Sequence, residues 1–373
     1  MIDRDELGAW LRLLETPQLG RESARKLLAA FGSPQAVIEA PTRARREVVG
    51  ATAAAALDTP SESAAALVGA TLAWLAADAA GPRAVITLGD PQYPRALLET
   101  ADPPLLLYAQ GRFELLQADA IAVVGSRNPT PQGQDNAREF SRHLSGAGLV
   151  VVSGLALGID AAAHAGGLEG AASTIAVVGT GLDRVYPRRN QSLAHRVAEQ
   201  GLLVSEYSLG TPPLPANFPL RNRIIAGLSR GTLVVEAALQ SGSLITARLA
   251  VEAGREVFAI PGSIHSPQAR GCHALLKQGA KLVETAQDIL EELHLTGTGA
   301  CAAPAANGTA RAPAPADADP LLAALGFDPV TLDALAARTG LPASELSVRL
   351  LDLELDGQVA RLPGHLFQRL AGG

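Results

Sequence analysis

The run Phe218-Pro219-Leu220-Arg221-Asn222-Arg223 sets an aromatic ring among guanidinium groups, and few stretches of the chain offer as much chemistry. Residues 215 to 230 hold three arginines and no acid, whereas the 373-residue chain carries a formal net charge of −6. A local positive patch therefore survives an acidic background. Bases of a single-stranded nucleic acid stack on exposed rings at about 1–3 kcal/mol each while arginines hold the phosphates, so this pattern suits such a ligand. The competing reading is that Phe218 is core and Arg221 pairs with a carboxylate such as Glu206 or Glu236.

Three loops supply further anion-holding groups. Ile121 to Val124 reads as a buried strand ending in Gly125-Ser126-Arg127. There the glycine admits a close ligand, the serine offers a hydroxyl and an N–H, and the arginine adds a fork of donors. Arg127 capping a neighbouring carboxyl terminus explains the same spacing. Val152-Ser153-Gly154 leaves a second strand and opens a helix, which would bring Ser153 and Gly154 beside Gly125 and Ser126. On that helix Asp160 and His164 are four residues apart and share a face, as an acid/base or metal pair would. No third ligand is evident, and the simpler expectation is that Asp160 satisfies backbone donors at the helix start while His164 bonds to it. Ser241-Gly242-Ser243, between Val235 and the helix containing Thr246, forms another helix start with N–H and hydroxyl donors. Gly179-Thr180-Gly181 lacks the third glycine and acidic ribose contact of a dinucleotide site, and no Walker A pattern occurs.

The elements that must position these groups follow from periodicity. Residues 1–78 show helical spacing throughout and predict a small all-helical unit, with one helix ending before Pro17 and a second over Arg21 to Phe31. The intervening Pro17-Gln18-Leu19-Gly20 resembles a degenerate helix-hairpin-helix turn. With eight basic and ten acidic residues over 1–80, packing or protein contact is the better expectation there. From Ala84 the texture becomes βαβ: strands are predicted at 84–88, 121–124, 149–153, 174–178, 202–205, 232–235 and 256–260, with a short one near 281–283. Unbroken apolar runs place most of them in a parallel sheet covered on both faces. The α/β unit is expected over 79–295 and a flexible linker over 296–319. Residues 320–373 read as three short helices and a hairpin, a winged-helix pattern. Four arginines against eight acids over 317–373 make that unit a poor surface for phosphates, and favour a partner-protein contact or an autoinhibitory flap.

Composition removes several other classes. Two cysteines, Cys272 and Cys301, form neither a disulfide framework nor a zinc site. The start Met1-Ile2-Asp3-Arg4-Asp5-Glu6 is too polar for a signal peptide, and no run of 18 apolar residues follows. A cytoplasmic protein without membrane insertion, cofactor or metal is the expectation.

The ordered segments VVGSR, SGLALGID with AAAH, IAVVGTGLDRVYP, SEY, FPLRNRIIAGLS, EAALQSGSLITA and GREVFAIPGS together resemble the DNA-processing protein A (DprA/Smf) family across about residues 84–290. The resemblance implies a Rossmann-like sheet flanked by a SAM-like helical unit and a winged helix. It also implies single-stranded DNA binding, homodimerisation, protection of incoming DNA and loading of the RecA recombinase during natural transformation, without catalysis. By the same resemblance Gly125, Ser126 and Arg127 would contact phosphate, while Phe218, Arg221, Asn222 and Arg223 would supply the base platform and backbone contacts. Two positions depart from the family pattern: Leu157 stands where an arginine is usual, and Ala216-Asn217 where a lysine is common. Both remove positive charge, which Arg188 and Arg189 could replace. A nucleotide-processing hydrolase related to the nucleotide phosphoribohydrolases is the alternative, resting on Glu236 and its Ser-Gly turn. Residues 227–243, GLSRGTLVVEAALQSGS, share GT with those enzymes' PGGxGTxxE loop but lack its double glycine.

Overall fold

A computed structural model describes residues 2–59, 62–295, 319–326 and 329–370. The expected linker at 296–319 lies, but for Asp319, outside the described residues.

The first helix, α1 (Arg4–Glu15), starts where the Asp3 carboxylate accepts from the Asp5 and Glu6 N–H groups at 2.9 and 2.8 Å, satisfying donors that a helix start leaves free. It ends before Pro17. The second, α2 (Arg21–Phe31), stops at Gly32, whose φ of +86° suits glycine. Four more helices, α3 (Pro34–Glu39), α4 (Thr42–Val49), α5 (Ala51–Ala56) and α6 (Glu62–Ala76), complete the helical unit. Its core of Leu7, Trp10, Leu11, Leu27 and Leu57 does not close on itself. It continues into Val85, Leu105, Leu106 and Tyr108 of the α/β unit.

The α/β unit runs β1 (Arg83–Thr87), α7 (Arg95–Leu98), β2 (Leu106–Gly111), β3 (Ala120–Val124), α8 (Pro131–Gly146), β4 (Val150–Ser153), α9 (Ile159–Glu169), β5 (Thr174–Val177), α10 (Gln191–Gln200), β6 (Leu202–Ser205), α11 (Asn217–Leu228), β7 (Gly231–Val234), α12 (Ser243–Glu252), β8 (Glu256–Ala259), α13 (Arg270–Lys277), β9 (Lys281–Leu282) and α14 (Ala286–Glu292). These strands form one nine-stranded sheet in the order β1-β2-β6-β5-β4-β3-β7-β8-β9. From β6 to β9 neighbours are parallel, while β1 pairs antiparallel with β2 and β2 with β6. Every expected strand is present, and β2 is one more than the sequence pattern predicts. An apolar run behind Pro103-Pro104 does not differ by periodicity from a buried helix segment, and its pairing with β1 and β6 is what makes it a strand.

Both sheet faces are covered. Along β3, Ala122 and Val124 join the core that includes Ile224 and Ile225 of α11, while Ile121 and Val123 face Ala137 and Leu144 of α8 and Ile159 of α9. The C-terminal unit holds α15 (Pro320–Leu325), β10 (Val330–Thr331), α16 (Leu332–Thr339), α17 (Ala343–Leu355), β11 (Val359–Leu362) and β12 (Leu366–Arg369), with strand order β10-β12-β11. Three helices and a hairpin with one extra strand make a winged helix.

Phe258 of β8 is fully buried, and a Cβ added at Gly231 of β7 would lie 2.7 Å from its Cε2. Phe258→Ala should therefore leave a cavity in the core beneath α8, α9 and α14 and lower the stability of the α/β unit by about 3–5 kcal/mol. Urea unfolding followed by circular dichroism measures it; a loss below about 1 kcal/mol would contradict this packing.

Candidate nucleic-acid interface

Strand order reverses between β3 and β7: the chain builds outward from β3 to β6, then returns to lay β7 on the other side of β3. Beyond the carboxyl ends of strands at such a reversal, the flanking loops diverge and leave a crevice. A cleft of about 460 Å³ opens there, lined by the turn after β3, the start of α11 and the turn before α12.

Gly125 and Ser126 shape its floor. A Cβ at Gly125 would come within 2.7 Å of Ile159 Cγ1 and 3.0 Å of the Glu236 carbonyl, so only glycine fits. The buried Ser126 accepts from the Asn128 N–H at 3.1 Å through its hydroxyl and from the Ile159 N–H at 3.1 Å through its carbonyl. This holds the turn so that Arg127 projects into solvent, where no described residue pairs with it. Across the cleft the Ser241 and Ser243 hydroxyls share a hydrogen bond of 2.6 Å, and Gly242, as N-cap of α12, places no side chain over the helix start. Asn222 Nδ2 reaches the Gly242 carbonyl at 3.4 Å and links the two walls.

Arg221 also lines the cleft, but from below. Its side chain is buried, with Nη1 donating to the Val177 carbonyl at the end of β5. A Cβ at Gly154 would sit 2.1 Å from both terminal guanidinium nitrogens. Burial pushes the Arg221 guanidinium down to about 10; Asp160 attracts the charge and Arg127 repels it. Arg221 is still a cation at neutral pH.

Phe218 is half-buried at the start of α11, with its ring 5.5 Å from that of Tyr186 and tilted by 38°. Tyr186 is 48% exposed, so the pair forms a rim platform rather than core. Sequence reasoning passed over Tyr186, although an aromatic at the end of the loop after β5 was a usable signal. Arg188 and Arg189 follow it in a short 3₁₀ turn; both are exposed, and no described residue pairs with them. Asn190 anchors that turn through Nδ2 to the Leu155 and Ala156 carbonyls at 2.9 and 3.0 Å.

Three expected residues stand away from the cleft. Ser153 is buried, its hydroxyl donating to the Val123 carbonyl at 2.7 Å and tying β4 to β3. Gly154 donates its N–H to Asp160 Oδ2 at 3.1 Å and serves as the bed for Arg221. Arg223 turns to the opposite side of α11, because two residues on a helix point about 200° apart. There Nε meets Asp102 at 2.8 Å and the terminal nitrogens meet Glu206 at 2.9 and 2.6 Å. The Glu206 partner weighed for Arg221 thus belongs to Arg223.

His164 does not bond to Asp160. The carboxylate accepts from the Gly154 and Ala156 N–H groups. The imidazole instead accepts from the Leu155 N–H at Nε2, 3.2 Å away, and meets Thr174 Oγ1 at 2.8 Å through Nδ1. Since that hydroxyl donates onward to the Val151 carbonyl at 2.6 Å, Nδ1 carries the proton. Burial first, then the Arg221 charge, push the His164 pKa down to about 3. Among the described residues no group of three or more His, Cys, Asp or Glu side chains could hold a metal. Glu236 also lies outside the cleft lining. Its carboxylate accepts from the Thr130 N–H at 2.9 Å and from the Thr130 hydroxyl, at the start of α8.

Fold and site together define a Rossmann-like α/β protein with a cationic, aromatic-rimmed cleft at its switch point, a helical unit on one edge of the sheet and an appended winged helix. Residues 84–294 match the family model of DNA recombination-mediator protein A, and residues 303–365 match that of the DprA winged helix domain. The chain is 46% identical over 277 residues to Protein Smf of Escherichia coli K12, covering 73% of this chain and 74% of that protein. It is 50% identical over 205 residues to the DNA processing protein DprA of Streptococcus pneumoniae R6, covering 55% and 72%. The structure of the Streptococcus pneumoniae protein superposes with a TM-score of 0.67 at 39% identity, over 78% of this chain and 98% of that one. DNA processing protein A from Helicobacter pylori, whose structure was described for its single-stranded DNA binding mode, gives 0.52 at 31% identity, over 57% and 95%. The chain belongs to the DNA-processing protein A (DprA/Smf) family.

A histidine held neutral in the fold and protonated once unfolded lowers stability as pH falls. The unfolded chain takes up the proton near pH 6.5, the folded one only near 3. Stability from this group is complete above about pH 6.5, and about 2 kcal/mol of it should be gone by pH 5. Urea midpoints of the parent and of His164→Gln across this range measure it: the parent should show the steeper fall, and parallel profiles would contradict a buried neutral imidazole.

Proposed function

We propose that the cleft binds single-stranded DNA, with Arg127, Arg188 and Arg189 taking phosphates at the rim and Phe218 and Tyr186 stacking bases. Arg221, Asn222, Gly125, Ser126 and the Ser241-Gly242-Ser243 turn shape the floor and supply donors. Ser153, Gly154 and Arg223 serve as support. The observation that carries this reading is the union at one sheet edge of unpaired guanidinium groups with a half-open pair of rings, in a protein whose net charge is −6. The single-strand binding described for the Helicobacter pylori relative supports it.

At the level of the cell, the reading is a cytoplasmic, non-catalytic protein that protects incoming DNA and loads RecA during natural transformation. Among the described residues no helix is long and apolar enough to cross a membrane. Leu239 and Ile264, 59% and 75% exposed beyond β7 and β8, give a homodimer an apolar surface to bury. The engaged Glu236 carboxylate speaks against the hydrolase alternative, because a catalytic acid would have to face the cleft. Residues 320–373 act as a separate unit with its own core, whereas residues 1–78 share a core with the α/β unit over 79–295 and act together with it. Exposed Val348, Leu351 and Leu355 on α17, beside Glu345, Asp352 and Glu354, suit a protein partner better than duplex phosphates.

Fluorescence anisotropy with labelled oligo-dT tests the reading. Affinity should fall with salt, and Arg127→Ala should both weaken binding and reduce the log–log salt slope by about 0.7, the value for one neutralised phosphate. Phe218→Ala should cost about 1–3 kcal/mol with the slope unchanged. Unaltered binding in both variants would remove the cleft from consideration, and release of free base from nucleoside monophosphates would revive the hydrolase.

A further inference from the structure

Five charged side chains from four parts of the chain meet behind the cleft. Arg21 and Arg25 come from α2, Asp102 from the loop between α7 and β2, Glu206 from the end of β6 and Arg223 from α11. Asp102 accepts from Arg223 at 2.8 Å, from Arg21 at 3.1 Å and from Arg25. Glu206 takes Arg223 in a fork at 2.9 and 2.6 Å, with Arg21 at 3.3 Å. The Glu206 side chain is 7% exposed and that of Arg223 13%, so these are not surface pairs of negligible strength. Burial alone would raise the Asp102 carboxyl pKa, but the surrounding arginines outweigh it and the net direction is down.

The cluster sits where α11 most needs fixing. The C-terminal half of that helix is held by Ile224, Ile225, Ala226 and Leu228 in the core. Its N-terminal half, which carries Phe218, has Pro219 and Leu220 exposed and reaches past the sheet. Besides the Phe218 ring's packing against Tyr186 and Gly179, polar contacts orient that half and the residue that follows it: Asn217 Nδ2 to the Gly179 carbonyl at 3.1 Å, the Tyr207 hydroxyl to the Asn217 carbonyl at 3.1 Å, Asn222 to the Gly242 carbonyl, Arg221 to the Val177 carbonyl, and Arg223, at the helix midpoint, to the cluster. Of these, only the Arg223 contacts reach the N-terminal helical unit, and they do so through Asp102 and Glu206.

We infer that Asp102 and Arg223 are positioning residues through which the N-terminal helical unit sets the angle of α11, and with it the aromatic platform for single-stranded DNA. The inference rests on the cleft being the DNA site. Neither residue touches DNA in this account. The helical unit is then part of the binding apparatus, although its own surface offers DNA no net positive charge.

The sign of one substitution separates positioning from electrostatics. Asp102→Ala removes a negative charge close to the cleft, so charge alone predicts tighter binding of a polyanion. Loss of positioning predicts weaker binding, by about fivefold or more, with the salt slope unchanged because no phosphate contact is lost. In a Phe218→Ala background the same substitution should have almost no effect, since the platform it positions is gone; a general structural defect would weaken both backgrounds equally. Asp102→Asn, which keeps the side-chain shape, serves if the alanine variant does not fold, and should shift affinity in the same direction. Anisotropy with oligo-dT on the full chain reads all of these. Parent-like or tighter binding by the Asp102 variants, while Arg127→Ala and Phe218→Ala bind weakly, would overturn the inference and leave the DNA site standing. Parent-like binding by Arg127→Ala and Phe218→Ala would instead defeat the DNA site, and the inference with it.

Discussion

The buried guanidinium of Arg221 is the constraint around which this protein's binding edge is arranged. A cation beneath the sheet's carboxyl rim is costly unless hydrogen bonds and an opposite charge compensate. The Val177 carbonyl supplies a hydrogen bond and Asp160 the charge. The consequences spread from there. Residue 154 must be glycine to leave room for the guanidinium, and Asp160 is itself fixed by the Gly154 and Ala156 N–H groups. His164 must stay neutral, since a second buried cation beside Arg221 would have no partner. With Arg221 placed, α11 can lay Phe218 against Tyr186 on one side and hand Arg223 to Asp102 and Glu206 on the other.

This arrangement shows how an acidic protein keeps a cationic site. Many of its arginines are held in ion pairs, including Arg21, Arg25, Arg138, Arg142 and Arg223. Those left without a described partner at the cleft, Arg127, Arg188 and Arg189, stand on turns at one edge of the sheet. Field strength for a flexible polyanion depends on such unpaired charge near a low-dielectric wall, not on the total. Half-open rings beside such charge suit a ligand read without regard to base identity, because every base has a π-face.

Much of this was legible in the sequence, for identifiable reasons. Strands ending in Gly-Ser-Arg, Ser-Gly and Ser-Gly-Ser mark the carboxyl edge of a parallel sheet before any coordinate is known, since glycine and serine suit the tight turns from strand to helix. The helical unit and winged helix followed from periodicity. What escaped was set by geometry across distant segments. Arg221 and Arg223 look equivalent in FPLRNR, yet helical rotation sends one under the cleft and the other into an ion-pair cluster with Glu206 and with Asp102, 121 positions away. His164 shares a helix face with Asp160, yet its partner is Thr174 on the adjacent strand. The strand Leu106–Gly111 lacks alternation because all six residues are buried, so nothing local distinguishes it.

Ultraviolet crosslinking of the full chain to oligo-dT, with the crosslinked peptides identified by mass spectrometry, asks whether single-stranded DNA lies across the two rings. Adducts on Phe218 or Tyr186, abolished by unlabelled single strand in excess but not by duplex, are the expected result. Adducts confined to the winged helix or to the N-terminal helices, with none on either ring, would show that DNA lies elsewhere on the protein.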